Sequence, residues 1–444
     1  MMRYVIVGGD AAGMSAAMEI TRHDETAEIT TLEKGDIYSY GQCGLPYVID
    51  GRISSPERVI ARRVETFREK YGIDARTRHE VTNVDVEKKE VSGINHHTGE
   101  SFTVPYDRLL IATGAAPIKP TWEGMDLDGI QPFKDIPLTK QLLEAMEDVE
   151  TITVIGGGYI GLEVAEALTN AGKKIRLIQR GERVANIFDP FITDQIEEKA
   201  REQGIELLLN ESVESFSGEG RVEKVHTDKG TYETDYVIVA VGVRPATQFI
   251  DIPELHRLPN GAIITNEQME TSIPDVYAAG DCAAQFHRVK GKHDYIPLGT
   301  TANKQGRVAG LSMAGWFAQF KGIVGTSITQ FFDLQIARTG LSEAEIQAMH
   351  RPYEMKQLTA YHIAGYYPGA EKITVRLYFD QLDRTLLGAQ VIGKAGVDKR
   401  TDVIATALYA GLTIDDLLDL DLSYAPPFNG AWDPVQQIAR RVQP

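Results

Sequence analysis

Two stretches of the chain, Tyr4 to Ile20 and Thr151 to Leu168, follow one plan: an apolar strand, a glycine-rich turn, then a helix of small residues. A strand running through such a turn into a helix is the setting in which glycines bind a dinucleotide. Its repetition marks a duplicated nucleotide-binding unit and commits much of the chain to an α/β architecture. Tyr106 to Gly114 reads as a buried strand ending in a tight turn, and Tyr236 to Gly242 as a second strand of the same kind.

In the first turn, Gly8-Gly9-Asp10-Ala11-Ala12-Gly13, the backbone turns tightly at Gly8 and Gly13 lets helix and strand pack closely. The helix start then offers N–H groups and a positive dipole to a pyrophosphate. Asp10 stands where the pattern has its second glycine, and nothing in the sequence accounts for a carboxylate there. Farther on, Glu33, followed by Lys34, ends a second strand where an acid accepts hydrogen bonds from a ribose.

The second turn, Gly156-Gly157-Gly158-Tyr159-Ile160-Gly161, satisfies the Gly-x-Gly-x-x-Gly pattern in full, with Glu163 just beyond it. The next strand ends in Gln179-Arg180 rather than an acid. A carboxylate at that point would repel a 2′-phosphate, so a neutral Gln179 with Arg180 and Arg183 nearby predicts that NADPH is accepted as well as NADH.

The 444 residues suit about three domains of ordinary size, and 43% hydrophobic content supplies their cores. A net charge of -17 argues against a nucleic-acid partner, which needs a basic surface. The N-terminus enters a strand at once, with no signal-peptide core, and no run of about 18 apolar residues could span a bilayer. These features predict a cytoplasmic protein with no membrane association. No metal-ligating cluster is identified.

Cys43 and Cys282 are the only cysteines, so no disulfide framework exists and no paired redox motif can form. Cys43 lies in Tyr38-Ser39-Tyr40-Gly41-Gln42-Cys43-Gly44-Leu45-Pro46-Tyr47. Proline favours the first turn of a helix, so Cys43 is expected at a helix N-terminus that lowers its pKa. A lone cysteine is more often an inert buried side chain. Cys282 is read as filler of that kind.

Thr271 to Asp281, with Gly280-Asp281 at its end, resembles the strand-turn of FAD-dependent pyridine-nucleotide disulfide oxidoreductases, and Ala112-Thr113-Gly114 resembles their adenine-side turn. The resemblance implies two Rossmann-like domains plus a C-terminal α+β dimerisation domain. FAD-binding parts would cover 1–117 and 246–322, an NAD(P)H-binding domain 118–245 and the dimerisation domain 323–444. It implies that Asp281 binds the flavin's ribityl chain and that Glu163 sits near the nicotinamide, with Gly242 closing the second site. Tyr159 would cover the flavin until nicotinamide displaces it, although simple core packing also suits a tyrosine there.

Cys43-Gly44-Leu45-Pro46-Tyr47, the single redox cysteine and Ser423 to Phe428 resemble the coenzyme A-disulfide reductase branch, which includes NAD(P)H oxidases, peroxidases and persulfide reductases. Cys43 would then form a mixed disulfide with coenzyme A. Oxidases carry a histidine in the first turn where this chain has Ala11, so peroxide chemistry lacks its acid–base group. Persulfide reductases often append a rhodanese domain, and none is expected for this chain. Branch members are homodimers with shared active sites, which assigns Tyr424 and one of Tyr366 or Tyr367 to the partner's site, though dimer packing would also explain them. Arg22, Ser39, Gln42 and Asn303 match substrate-contact positions, and Arg62-Arg63 offers further cations for the phosphates of coenzyme A. Solvated surface arginines are the plainer alternative.

Overall fold

The computed structural model describes residues 1–442. β1 (Arg3–Val7), α1 (Ala11–His23), β2 (Glu28–Leu32), β3 (Asp74–Arg76) and β4 (Arg108–Ile111) build a first sheet. A second is formed by β5 (Ile130–Pro132), β6 (Thr151–Ile155), α2 (Tyr159–Asn170), β7 (Lys174–Gln179), α3 (Pro190–Glu202), β8 (Glu206–Leu209) and β9 (Tyr236–Val239). The chain then returns to the first sheet with β10 (Val276–Ala278), followed by α4 (Gly299–Met313).

Both sheets are parallel and five-stranded, ordered β10-β4-β1-β2-β3 and β5-β9-β6-β7-β8. Position for position they match, so the duplication inferred from the glycine turns extends to whole sheets. They differ in the origin of the outer strand: β10 follows the entire second unit, whereas β5 precedes β6. The central strands β1, β4, β6 and β9 are almost wholly buried, as parallel strands covered on both faces must be.

The third sheet is antiparallel, β11 (Ser327–Phe331), β12 (Leu334–Gly340), β15 (Leu386–Gly393), β14 (Lys372–Asp380) and β13 (Tyr353–Tyr361), with α5 (Val397–Ala410) packed on it. The fold is thus the α/β one expected, with a C-terminal α+β domain. No described helix is long and apolar enough to cross a membrane.

Candidate active site

The two glycine turns are built alike. Gly8 has φ of +119° and Gly156 +104°, a region that L side chains avoid. A Cβ at Gly8 would stand 2.1 Å from the Ala112 carbonyl oxygen, and one at Gly156 2.4 Å from that of Ala240. Gly13 and Gly161 let each helix start graze its turn, since a Cβ there would lie 2.0 and 1.8 Å from the carbonyls of Gly8 and Gly156. Glu33 accepts from the Gly9 N–H at 2.9 Å, and Gln179 accepts from the Gly157 N–H at 3.0 Å. Gln179 is therefore the positional counterpart of Glu33 with the charge removed. Gly158 opens α2 with nothing near its missing side chain, and Ile160 is exposed beside it. Gly242 (φ +111°) turns the chain after β9.

Around the first turn, Ala12 meets Gly280 and α4: a Cβ at Gly280 would come 2.9 Å from the Ala12 methyl, and one at Gly306 2.2 Å from the Ala12 carbonyl oxygen. Ala11 opens α1 itself. Thr113 donates to the Ala246 carbonyl at 2.8 Å, fixing the turn through Ala112 and Gly114. Lys34 is exposed. Among the described residues no side chain hydrogen-bonds the Asp281 carboxyl, whose pKa is pushed up by burial and pulled back by Lys134. A desolvated acceptor beside a glycine-lined helix start fits a ligand that brings hydroxyl donors, as FAD does.

Asp10 now has an explanation. Its carboxylate accepts from the Tyr40 N–H at 3.1 Å and from Gln42 Nε2 at 3.0 Å, which ties the glycine turn to the cysteine loop. Burial raises its pKa and these two bonds oppose that.

The expectation for Cys43 is corrected. It lies in a 3₁₀ turn, Gln42–Gly44, ahead of a helix of only four residues, Pro46–Ile49. No extended dipole acts on the thiol. Its pKa is raised, first by desolvation and then by the Glu163 and Asp281 carboxyls, with Lys134 acting the other way. Cys43 is nevertheless exposed, open to an incoming disulfide. Lys134 follows β5 and belongs to no motif, so sequence reasoning missed it. Cys282 is buried and its thiol donates to the Ile111 and Ala279 carbonyls at 3.2 and 3.3 Å.

Helix Pro46–Ile49 packs on α2, so the cysteine loop and the second glycine turn face each other. On α2, Tyr159 shares a hydrogen bond with Ser327 at 2.8 Å and stacks edge-on against Phe188. Glu163 accepts from Thr329 Oγ1 at 2.8 Å. Its pKa is raised by burial, against the effect of that bond.

The candidate cations separate. Arg183 bonds Asp194 and Thr193 on α3, so it is committed within its own domain, while Arg180 is exposed. Arg22 pairs with Glu19 at 2.7 Å. Arg62 lies over the Phe67 and Tyr71 rings, and its N–H, with that of Ala61, bonds the Ser39 carbonyl. Arg63 caps the helix Val64–Tyr71 and is exposed. Ser39 itself is held at φ +47° and donates its N–H to the Gly9 carbonyl. Asn303 accepts from Ser15 of α1 at 2.9 Å.

Tyr366 and Tyr424 come together on the C-terminal domain, 77% and 54% exposed, and the nearby Tyr424 hydroxyl raises the Tyr366 pKa. Tyr367 is less exposed, at 39%. The segments that carry Tyr366 and Tyr424 are tied together: the Ala364 N–H donates to the Pro426 carbonyl at 3.2 Å, and buried Arg400 donates to the His362 carbonyl at 2.6 Å and Asn429 Oδ1 at 3.0 Å and ion-pairs with Asp433. Among the described residues no hydrogen bond joins either tyrosine to Cys43 of the same chain.

Residues 2–306 match the pyridine nucleotide-disulphide oxidoreductase family and residues 326–435 match its dimerisation domain. The NAD(P)H coenzyme A polysulfide/persulfide reductase of Pyrococcus horikoshii is 39% identical, over 99% of this chain and 98% of that one. The coenzyme A disulfide reductase of Staphylococcus haemolyticus is 32% identical over the full length of both. Among solved structures, the water-forming NADH oxidase of Lactobacillus brevis bound to NADH superposes with a TM-score of 0.96 at 31% identity, covering 99% of this chain and 98% of that one. Twin glycine turns, the desolvated Asp281, a solitary exposed thiol and these matches agree: the chain belongs to the pyridine nucleotide-disulphide oxidoreductases, FAD-dependent enzymes that oxidise NAD(P)H.

Proposed function

We propose that this enzyme reduces coenzyme A disulfide to two thiols through Cys43, working as a homodimer whose partner subunits share each active site. The observation that carries this reading is a single exposed thiol, Cys43, with the other cysteine, Cys282, buried and bonded to backbone carbonyls. Cys43, as thiolate, attacks one sulfur of the disulfide; the S–S bond breaks and one coenzyme A thiolate leaves. That thiolate takes a proton, and the Tyr366–Tyr424 pair of the partner subunit is the donor we assign. Two electrons from NAD(P)H and one further proton then release the second coenzyme A thiol and restore Cys43. Bound FAD supplies the two-electron link between nicotinamide and sulfur.

In this reading Ala11, Ala12, Glu33, Thr113 and Asp281 line the flavin site, while Tyr159, Glu163, Gln179 and Arg180 line the nicotinamide site. Ser39, Gln42, Arg22, Arg62, Arg63 and Asn303 surround the path of coenzyme A. A second reading, reduction of a persulfide or polysulfide at the same thiol, is favoured by the identity to the Pyrococcus protein, 39% against 32% for the staphylococcal one. Oxygen as acceptor is disfavoured by Ala11, which offers no acid–base group.

The test is steady-state turnover with coenzyme A disulfide, coenzyme A persulfide, polysulfide, glutathione disulfide and oxygen, on wild type and Cys43→Ser. Highest kcat/KM for coenzyme A disulfide, abolished in Cys43→Ser with FAD still bound, is expected. Highest kcat/KM for a persulfide would select the second reading, and near wild-type disulfide turnover in Cys43→Ser would end both.

A further inference from the structure

Two side chains of α2, Tyr159 and Glu163, are each held by a residue of the C-terminal domain. Tyr159 and Glu163 are four residues apart, so they stand on one face of the helix about 6 Å from each other. Ser327 and Thr329 are two residues apart on β11, so they share one face of the strand at about 6.7 Å spacing. The two spacings match closely enough for paired contacts. The phenol of Tyr159 bonds the Ser327 hydroxyl at 2.8 Å and Glu163 accepts from Thr329 at 2.8 Å. Between them Ile328 points the other way and is 51% exposed, as strand alternation requires. The pairing is fixed by the third sheet, since Ser327 and Thr329 are in register with Arg338 and Ile336 of β12.

We propose that Ser327 and Thr329 are positioning residues for the nicotinamide site: Ser327 latches the Tyr159 ring in its resting position and Thr329 orients the Glu163 carboxyl. This rests on the reading of Tyr159 and Glu163 as nicotinamide-site residues. A nicotinamide that needs the space of the ring must first break the Tyr159–Ser327 bond. Phe188 gives the ring a second, edge-on support but no polar partner, so Ser327 alone supplies directionality. The dimerisation domain thereby sets how readily the nucleotide enters a site in another domain.

One net neutral hydrogen bond corresponds to a factor of roughly 2–12 in an equilibrium constant. Ser327→Ala is therefore expected to tighten NADP⁺ binding, measured by titration calorimetry on the FAD-loaded dimer, about three- to tenfold. It should lower the NADPH KM in parallel. Tyr159→Phe should do the same, and the double variant should do no more than either single one. Thr329→Val removes a donor that holds the Glu163 pKa down, so the acidic limb of the NADPH kcat/KM profile should move to higher pH, and Thr329→Ser should restore it.

Additive effects of Ser327→Ala and Tyr159→Phe, or an NADP⁺ affinity within twofold of wild type in Ser327→Ala, would overturn the latch. An unmoved pH limb in Thr329→Val would overturn the role of Thr329. Tyr159→Ala separates the two levels. If it changes NADP⁺ affinity while Ser327→Ala does not, only the latch fails. If it changes nothing, the placing of Tyr159 at the nicotinamide site fails with it.

Discussion

Lys134 lowers the pKa of both Cys43 and Asp281, against desolvation at each and, at Cys43, against the Glu163 and Asp281 carboxyls. Because the Cys43 thiol lies above its ordinary pKa, the thiolate fraction at neutral pH is limited and rises as pH rises. Lys134→Gln removes the opposing charge and raises the thiol further. Disulfide kcat/KM at pH 7 should fall roughly three- to tenfold, and the loss should close at alkaline pH, in a pH profile of the coenzyme A disulfide reaction. An equal loss at every pH would mean that Lys134 does not act on the thiol. Gln179 invites a different substitution. It already makes the bond to the Gly157 N–H that Glu33 makes to Gly9, so Gln179→Glu keeps the geometry and adds only a charge. That charge should disfavour a 2′-phosphate by about 1–3 kcal/mol, read as a shift of the NADPH/NADH ratio of kcat/KM toward NADH. With Arg183 committed to Asp194, Arg180 is left as the nearby cation for the phosphate.

At the scale of elements, α1 and α4 approach so closely that only glycine fits on the α4 side. A Cβ at Gly306 would sit 2.2 Å from the Ala12 carbonyl oxygen, and at Gly310 2.5 Å from that of Ala16. Gly306→Ala must push the two helices apart, and since α1 begins at the flavin turn, its displacement disturbs that site. A loss of about 1–3 kcal/mol is expected, with reduced FAD content in the absorbance ratio of purified protein and a lower melting temperature. Retained FAD and an unchanged melting temperature would show that the contact can relax. The units that open with β1 and β6 were legible in the sequence because each obeys a local rule: strand, glycine, helix; the helix α4 was not read from the sequence. What was not legible joins residues far apart in the chain. Asp10 departs from its motif to hold Gln42, Lys134 arrives just after the outer strand β5, and Ser327 reaches Tyr159 from another domain. The thiol was misjudged for a related reason. Pro46 marked a helix start correctly, but neither the helix's brevity nor the two carboxyls facing Cys43 from remote segments follows from neighbouring letters.

At the scale of the molecule, the Tyr366–Tyr424 pair is exposed in the single chain, on segments that buried Arg400 ties together through His362 and Asn429. In a two-fold dimer each subunit lends and receives the same pair. Hybrid dimers made by exchanging Cys43→Ser subunits with Tyr366→Phe/Tyr424→Phe subunits should regain up to about one intact site in two. No recovery despite demonstrated exchange would exclude sharing. The matching order of the two parallel sheets has another consequence. The second sheet takes its outer strand β5 from just before β6, so every strand it needs has been made by Val239. The first sheet waits for β10, which begins at Val276, and until then the edge of β4 is open. On the ribosome, the nucleotide-binding unit translated first is the one that can be completed only second, and the unit inserted into it must fold while its host is still unfinished.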